Sequence, residues 1–329
     1  MKSRSVLVIS SKEDVHCNPV IRHLKQFGRQ VLRLNTEDLL SQNSILLLQT
    51  NYGDCFCLGW KELDRMISLD QIGSIWFRRP LPPDLSHIPF DEQSEIDFAT
   101  VETEHFLRSL YPFLESKYWL SPPWTLNFEK SKIRQASVAR LVGFTIPESI
   151  FTNDPLEAIA FAERHGRVAL KTLGARGFNQ SEKYHAFYTT IVDAKDIWTY
   201  QEAIKSSINF IQQAISKDYE LRVTAVGNEV FAAKIDSQSA GDIARDDWRR
   251  ADHRSILHKA VELPKSVLHS VHRFLKVYDL EFGCFDFIVT PDGEYVFLEC
   301  NGNGQWLWIE ELTGLPISRA IATLLDKHC

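Results

Sequence analysis

Hydrophobic and polar positions change period several times along the chain, and the changes predict a mixed α/β protein. Residues 6–9 are an unbroken apolar run, as in a strand buried on both faces. Asn18-Pro19 supplies a helix cap and a first-turn proline, Gly28 a stop, and residues 30–34 resume the sheet. This alternation predicts a parallel βαβ unit, with further strands at 45–49 and 74–77. Residues 91–115 read as one long helix, broken by Ser121-Pro122-Pro123-Trp124. Apolar residues at 133, 136, 139 and 142 give 130–142 a helical period, with Gly143 as its stop. Asp154-Pro155 opens a helix ending at His165-Gly166, and a short strand over 167–171 leads into a loop holding Gly174 and Gly177. Two strands, 220–226 and 229–235, meet at Gly227-Asn228. The polar stretch 237–252 reads as a mobile loop. A helix over 268–277, strands over 282–289 and 295–300, and a closing helix over 316–328 complete the chain.

Composition narrows the function classes. The 329 residues carry 37 Lys+Arg against 43 Asp+Glu, a net charge of −6, so nothing global favours a nucleic-acid partner. No apolar run approaches the ~20 residues of a membrane helix, and 6–9 is too short for a signal-peptide core. The expectation is a cytoplasmic protein of about two or three domains with no membrane partner. Six cysteines follow no zinc spacing, and a chain of this size needs no disulfide scaffold. No G-x-G-x-x-G follows the first strand, so the N-terminal unit is Rossmann-like without the dinucleotide signature.

Candidate chemistry concentrates near the C-terminus. Asp292-Gly293 signals a hairpin turn, and a two-residue loop there pairs residue 286 with residue 299. Alternation then sets Asp286, Glu299 and Asn301 on one face, a hard-oxygen set suited to Mg²⁺. The surrounding phenylalanines imply burial, which makes unpaired carboxylates costly and a metal favourable. A three-residue loop would shift this register. Lys132 on its helix, and Lys171 at a strand end before the Gly174–Gly177 loop, are placed to meet phosphates.

The order Lys132, Lys171 with its glycine loop, Glu220-Leu221-Arg222, Asp286 and Glu299-x-Asn301 resembles an ATP-grasp carboxylate ligase. Within that superfamily, Ser74-Ile75-Trp76-Phe77-Arg78-Arg79-Pro80 and the block from Glu299 to Glu310 resemble the microviridin-type ribosomal peptide maturases, which make graspetides. The resemblance covers nearly the whole chain, and the C-terminal block is its most specific part. It departs at Gly302, where relatives often carry proline, a change expected to loosen that turn. The resemblance implies an α/β (α+β) ATP-grasp fold with a Rossmann-like N-terminal preATP domain (1–125), a central domain (126–208) and a C-terminal catalytic domain (209–329). It implies that Lys132, Lys171 and the Gly174–Gly177 loop bind ATP phosphates. A hinge strand with Gln212, Gln213, Ala214 and Ile215 would hold adenine, and Lys234 and Arg222 would line the phosphate side. Arg249 and Arg250 would reach the γ-phosphate or acyl group from the 237–252 loop, which would act as a lid. Asp286, Glu299 and Asn301 would hold Mg²⁺. Arg78 and Arg79 would pair an acidic core peptide or the acyl phosphate. Trp306 and Trp308 would pack the site floor. A precursor's leader would dock at 178–196.

The implied activity is ATP-dependent closure of ω-ester or ω-amide rings between Asp/Glu and Ser/Thr or Lys side chains of a precursor peptide. A ligase acting on a free amino acid or a protein terminus, of the glutamate-ligase or glutathione-synthetase type, would share the ATP site without needing a leader. A nucleotide-gated binding protein is the non-enzymatic alternative, against which the intact lysines and metal-ligand set argue. Oligomeric state stays open, with a homodimer among the expectations.

Overall fold

The computed structural model describes residues 4–61, 64–174, 177–180, 183–239, 241, 245 and 247–329. The strands β1 (Ser5–Ser10), β2 (Val31–Asn35), β6 (Ile72–Phe77) and β7 (Tyr118–Leu120) form a parallel sheet in the order β2-β1-β6-β7. Every residue of β1 is buried, which is why its sequence shows no alternation. The first helix, Cys17–Gln26, starts ahead of the expected Asn18-Pro19 cap. Pro19 sits in its first turn, where a missing N–H costs nothing. The apolar run at 45–49 does not join the parallel sheet. It lies in β3 (Asn43–Thr50), which forms a separate antiparallel sheet with β4 (Gly53–Trp60) and β5 (Arg65–Ser68).

A central four-stranded sheet has the order β12-β9-β13-β8. Its members are β8 (Ser149–Thr152), β9 (Val168–Lys171), β12 (Thr190–Val192) and β13 (Asn209–Gln213). β10 (Gly177–Gln180) and β11 (Lys183–Ala186) form a separate hairpin. Because β13 pairs with both β8 and β9, the central sheet runs past residue 208, where a boundary was expected. The C-terminal sheet follows the order β16-β15-β14-β17-β18, with β14 (Tyr219–Val226), β15 (Glu229–Ile235), β16 (His258–Val261), β17 (Phe282–Val289) and β18 (Tyr295–Asn301).

One face of this sheet is sealed by the helices Lys132–Val142 and Lys265–Val277. Phe144, Phe274, Phe285, Phe287 and Phe297 stack there, each fully or almost fully buried. Each contributes about 2–3 kcal/mol of burial. The buried side of the first helix is Gln135, Val138, Ala139 and Val142, while Ile133, expected on that side, is 59% exposed. Part of the opposite sheet face packs with Trp76, Trp306 and the helices Cys17–Gln26 and Ile317–Asp326, joining the N- and C-terminal units in one core. No helix among the described residues is long and apolar enough to cross a membrane.

Candidate active site

β17 and β18 meet through a three-residue loop, Pro291-Asp292-Gly293. Thr290 N–H donates to Glu294 O at 3.0 Å, and Gly293 takes φ +82°. The expected two-residue loop is therefore replaced, and Phe287 pairs with Phe297. Continued unbroken, that register would set Glu299 opposite Phe285 among the stacked phenylalanines. A bulge at Leu298 prevents this, so Asp286 pairs with Glu299 and Cys284 with Asn301. Asp286, Glu299 and Asn301 consequently share the sheet face that carries Arg222, which pairs with Asp286 from β14.

Carboxylates directly opposite one another repel, and cations answer that repulsion here. Arg222 Nη1 donates to both oxygens of Asp286, at 2.8 and 2.9 Å, and its Nη2 donates to Gln305 O at 2.8 Å. Lys132, capped onto its helix by Ser131, forms an ion pair with Glu299. Burial works to raise the Glu299 carboxyl, but Lys132, Lys171 and Arg249 outweigh it and bring it down to about 2. At Asp286 burial prevails over Arg222, and the Glu299 charge adds to it, so that carboxyl is pushed up. Burial also lowers the Lys171 ammonium to about 8, against the pull of Glu299 and with Arg249 and Lys132 lowering it further. Lys171 Nζ donates to Gln212 Oε1 at 2.6 Å.

Beside these charges is a narrow cleft lined by Lys132, Ile146, Phe151, Phe210, Gln212 and Leu298, among others. Phe151 and Phe210 pair across β8 and β13 with parallel rings 4.7 Å apart. Arg249 joins the group through Asp247, which the sequence reading did not single out. This aspartate is 4% exposed, receives Arg249 Nε and Nη2 at 2.8 Å each, and accepts Thr189 N–H at 3.1 Å. Its only sequence signal is its place as N-cap two residues before Arg249.

These features can be set beside known structures. No protein-family model matches the chain, and no curated protein matches it significantly. A RiPP-associated ATP-grasp ligase from Chryseobacterium gregarium, in complex with ADP and a leader and core peptide, has a TM-score of 0.88 to this chain at 27% identity. The match covers 99% of this chain and 97% of that one. Over almost its whole length the chain is similar to ATP-grasp ligases that mature ribosomal peptides. Macrocyclase MdnB of Microcystis aeruginosa MRC is similar at TM-score 0.78 and 27% identity, over 98% of this chain and 99% of that one. Macrocyclase MdnC of the same organism, bound with precursor peptide MdnA, shares the fold at TM-score 0.84 and 24% identity, over 98% and 99% of the two chains.

The ligase puts its two strand-end arginines to structural use. Arg78 is fully buried, donates through Nη1 to Asn303 O (2.6 Å), Asn303 Oδ1 (2.9 Å) and Gly304 O (3.0 Å), and pairs with Asp14 at 3.0 Å. Asp14 also accepts from buried His16, and the Arg78 guanidinium lies 4.8 Å over the Trp306 ring. Sealed in this way, Arg78 has no face for a peptide, contrary to expectation. Arg79, at φ +45°, donates to Asn303 O at 3.1 Å. Trp306 is fully buried beneath Arg78, and Trp308 packs against Trp248 and His258.

Lys234 requires a correction. It pairs with Leu221, one residue out of phase with Arg222, and so projects from the opposite sheet face, with Nζ 4.1 Å over the Tyr219 ring. It therefore does not line the side that holds Asp286 and Arg222. Of the hinge residues, Gln212 lines the cleft, Gln213 ends β13, and Ala214 and Ile215 lie in the coil beyond it. Gln213 and Ala214 N–H donate to Glu148 O and Arg167 O. Gly174 is exposed and Gly177 opens β10, whereas 175–176 between them lie outside the described residues. So do 181–182 of the expected leader-docking stretch and 240, 242–244 and 246 of the expected lid. Arg250 is exposed, 6.0 Å from the Tyr188 ring centroid. The Gly302 turn is tight rather than loose: a Cβ there would stand 2.8 Å from Leu126 and 3.1 Å from Leu280, and Ser121 Oγ donates to Gly302 O at 2.9 Å.

Proposed function

We propose that this ligase spends ATP to activate Asp or Glu side-chain carboxylates of a ribosomally made precursor peptide, then joins them to Ser/Thr or Lys side chains as esters or amides. The observation that carries the reading is the Asp286–Glu299 pair faced by Arg222, Lys132, Lys171 and Arg249. Its fold-wide likeness to a ligase seen with ADP, leader and core peptide supports the same reading. The reaction places the protein in the cytoplasm, where ATP and newly made peptide meet.

The aromatic cleft takes the adenine, and Lys132 and Lys171 take the phosphates. Asp286, Glu299 and Asn301 offer only oxygen donors on one sheet face, the chemistry Mg²⁺ prefers, so the residues fit that ion. When bound, Mg²⁺ supplies charge neutralisation at the phosphate oxygens. A peptide carboxylate oxygen bonds to the γ-phosphorus while the bond to the β-phosphate oxygen breaks, giving an acyl phosphate and ADP. Lys171, Arg222 and Arg249 stabilise the charge spread over the transferring group. The hydroxyl or amine of the same peptide attacks the acyl carbon, the acyl C–O bond to the phosphorus-bound oxygen breaks, and phosphate leaves, taking up the proton that the attacking group loses. Holding both peptide ends together raises effective molarity, and exclusion of water protects the acyl phosphate.

Mass spectrometry of a candidate precursor incubated with the ligase and ATP is expected to show loss of one water per ring, with one ADP and one phosphate formed each time. Equal rates with and without the leader would favour the free-substrate ligase instead. Asp247→Ala removes the carboxylate that aims Arg249, and is expected to lower kcat about 10–100-fold with little change in the KM for ATP. Steady-state kinetics check that split.

A further inference from the structure

We infer that Gln135, which is given no role above, is a positioning residue for the strand end carrying Glu299 and Asn301. The inference rests on the proposed ligand set and adds a residue that touches none of its members' side chains.

β18 is an edge strand of its sheet, so apart from one isolated bridge, Thr145 to Val296, one row of its backbone groups has no strand partner among the described residues. Above the Leu298 bulge, Phe297 N–H in that row donates to Thr145 O at 2.8 Å. Below the bulge the row continues at Cys300, between Glu299 and Asn301, and Cys300 is only 1% exposed. Gln135 takes both of its backbone groups: Cys300 N–H donates to Gln135 Oε1 at 2.8 Å, and Gln135 Nε2 donates to Cys300 O at 2.8 Å. The side-chain amide thus imitates a neighbouring strand for one residue. Its orientation is set from behind, because the two Nε2 hydrogens are shared among Cys300 O, Glu129 O at 2.6 Å and Glu129 Oε1 at 2.9 Å. An amide turned end for end would lose all three of these acceptors.

Helical spacing makes the arrangement functional. Lys132 and Gln135 stand three residues apart on one helix and therefore share a side. Lys132 holds the Glu299 carboxylate, while Gln135 holds the backbone one residue further on. A bulge frees a strand end to twist, and Gln135 removes that freedom where the two ligands diverge. Loss of such outer partners weakens metal binding by about 10–100-fold.

The test uses Mn²⁺ as the probe, titrated into the full chain with saturating ADP and followed by electron paramagnetic resonance. Gln135→Met keeps the length and removes the hydrogen bonds. It is expected to weaken Mn²⁺ binding about tenfold or more, while ADP affinity without metal stays within about twofold. Ser270→Ala loosens the same helix elsewhere, at the Ser270 Oγ bond to Val142 O (2.7 Å), and is expected to leave Mn²⁺ affinity unchanged. Equal Mn²⁺ affinity in Gln135→Met and wild type, or equal weakening in both variants, overturns the inference. Failure of the wild type to bind Mn²⁺ with ADP would instead overturn the proposed ligand set. Hydrogen exchange of the wild type gives a reading that needs no variant. Mn²⁺ with ADP should slow the peptides containing residues 129–135 and 299–301 together, and protection of the second alone counts against Gln135.

Discussion

Glu299→Gln is expected to abolish ring closure, lowering turnover about 10³-fold or more, while the protein stays folded. Glu299 is the charge on which Lys132, Lys171 and Arg249 converge, and they hold it ionised down to about pH 2. An amide in its place keeps the shape and removes the charge, leaving those cations to repel one another in a partly buried cleft. Lys171, already lowered to about 8, would lose its main attraction and fall further. Nucleotide phosphates would then meet a cleft with less protonated lysine and with the proposed ligand set short of one anion. Asp286→Asn is a poorer test. It strips Arg222, itself 8% exposed, of its bidentate partner, and orphaning such a buried charge costs about 3–5 kcal/mol of stability. Thermal denaturation should show a lowered Tm for both variants, because Glu299→Gln forfeits the favourable charge that holds this carboxyl at about 2 and Asp286→Asn orphans Arg222, so turnover is compared well below both transitions. Unchanged ATP-dependent loss of water from the precursor in Glu299→Gln would refute the ligand assignment.

The sequence made the 286–299 pairing legible, but by a route the structure does not follow. Counting outward from Asp292-Gly293 gives the correct partners only because two departures cancel. A three-residue loop displaces the register, and the bulge at Leu298 returns it. Gly293 announces a turn, but Leu298 carries no glycine or other mark of a bulge, so nothing local predicts the compensation. The misplaced Lys234 is the reverse case. The two-residue Gly227-Asn228 turn already fixes Arg222 opposite Ala233, and parity alone turns Lys234 to the other face. Helical period failed at Ile133 for a different reason. The helix buries the polar Gln135, which a hydrophobicity count assigns to solvent, because an edge strand offers it two hydrogen bonds. Arg78 is hidden from sequence by the same logic: its partners Asp14 and Asn303 lie far away along the chain, and only the fold brings them together.

Lys171 should give the ligase a pH dependence in ATP binding. Its ammonium is lowered to about 8, chiefly by burial, so the free enzyme loses this charge at mildly alkaline pH. Phosphate groups in the cleft favour the protonated form and raise its pKa in the nucleotide complex. Binding must therefore take up a proton at pH values between the free and bound pKa. By linkage, ATP affinity is flat below about pH 8 and weakens above it, approaching about tenfold per pH unit. The sign is fixed by the phosphates: a falling affinity with rising pH requires a group that binds protons more tightly in the complex. Glu299, low at about 2, stays ionised throughout and cannot supply this dependence. Lys171→Met should lower ATP affinity about 100-fold or more at pH 7, where the lost charge acts beside Gln212 in low-dielectric surroundings. It should also erase the slope above pH 8, whereas Lys171→Arg, protonated throughout, should erase the slope with a smaller loss of affinity. Calorimetric titration with ATP from pH 6.5 to 9.5 in two buffers of different ionisation enthalpy reads affinity and proton uptake together. A wild-type affinity independent of pH, or a slope that survives Lys171→Met, would assign the phosphate contact to another residue.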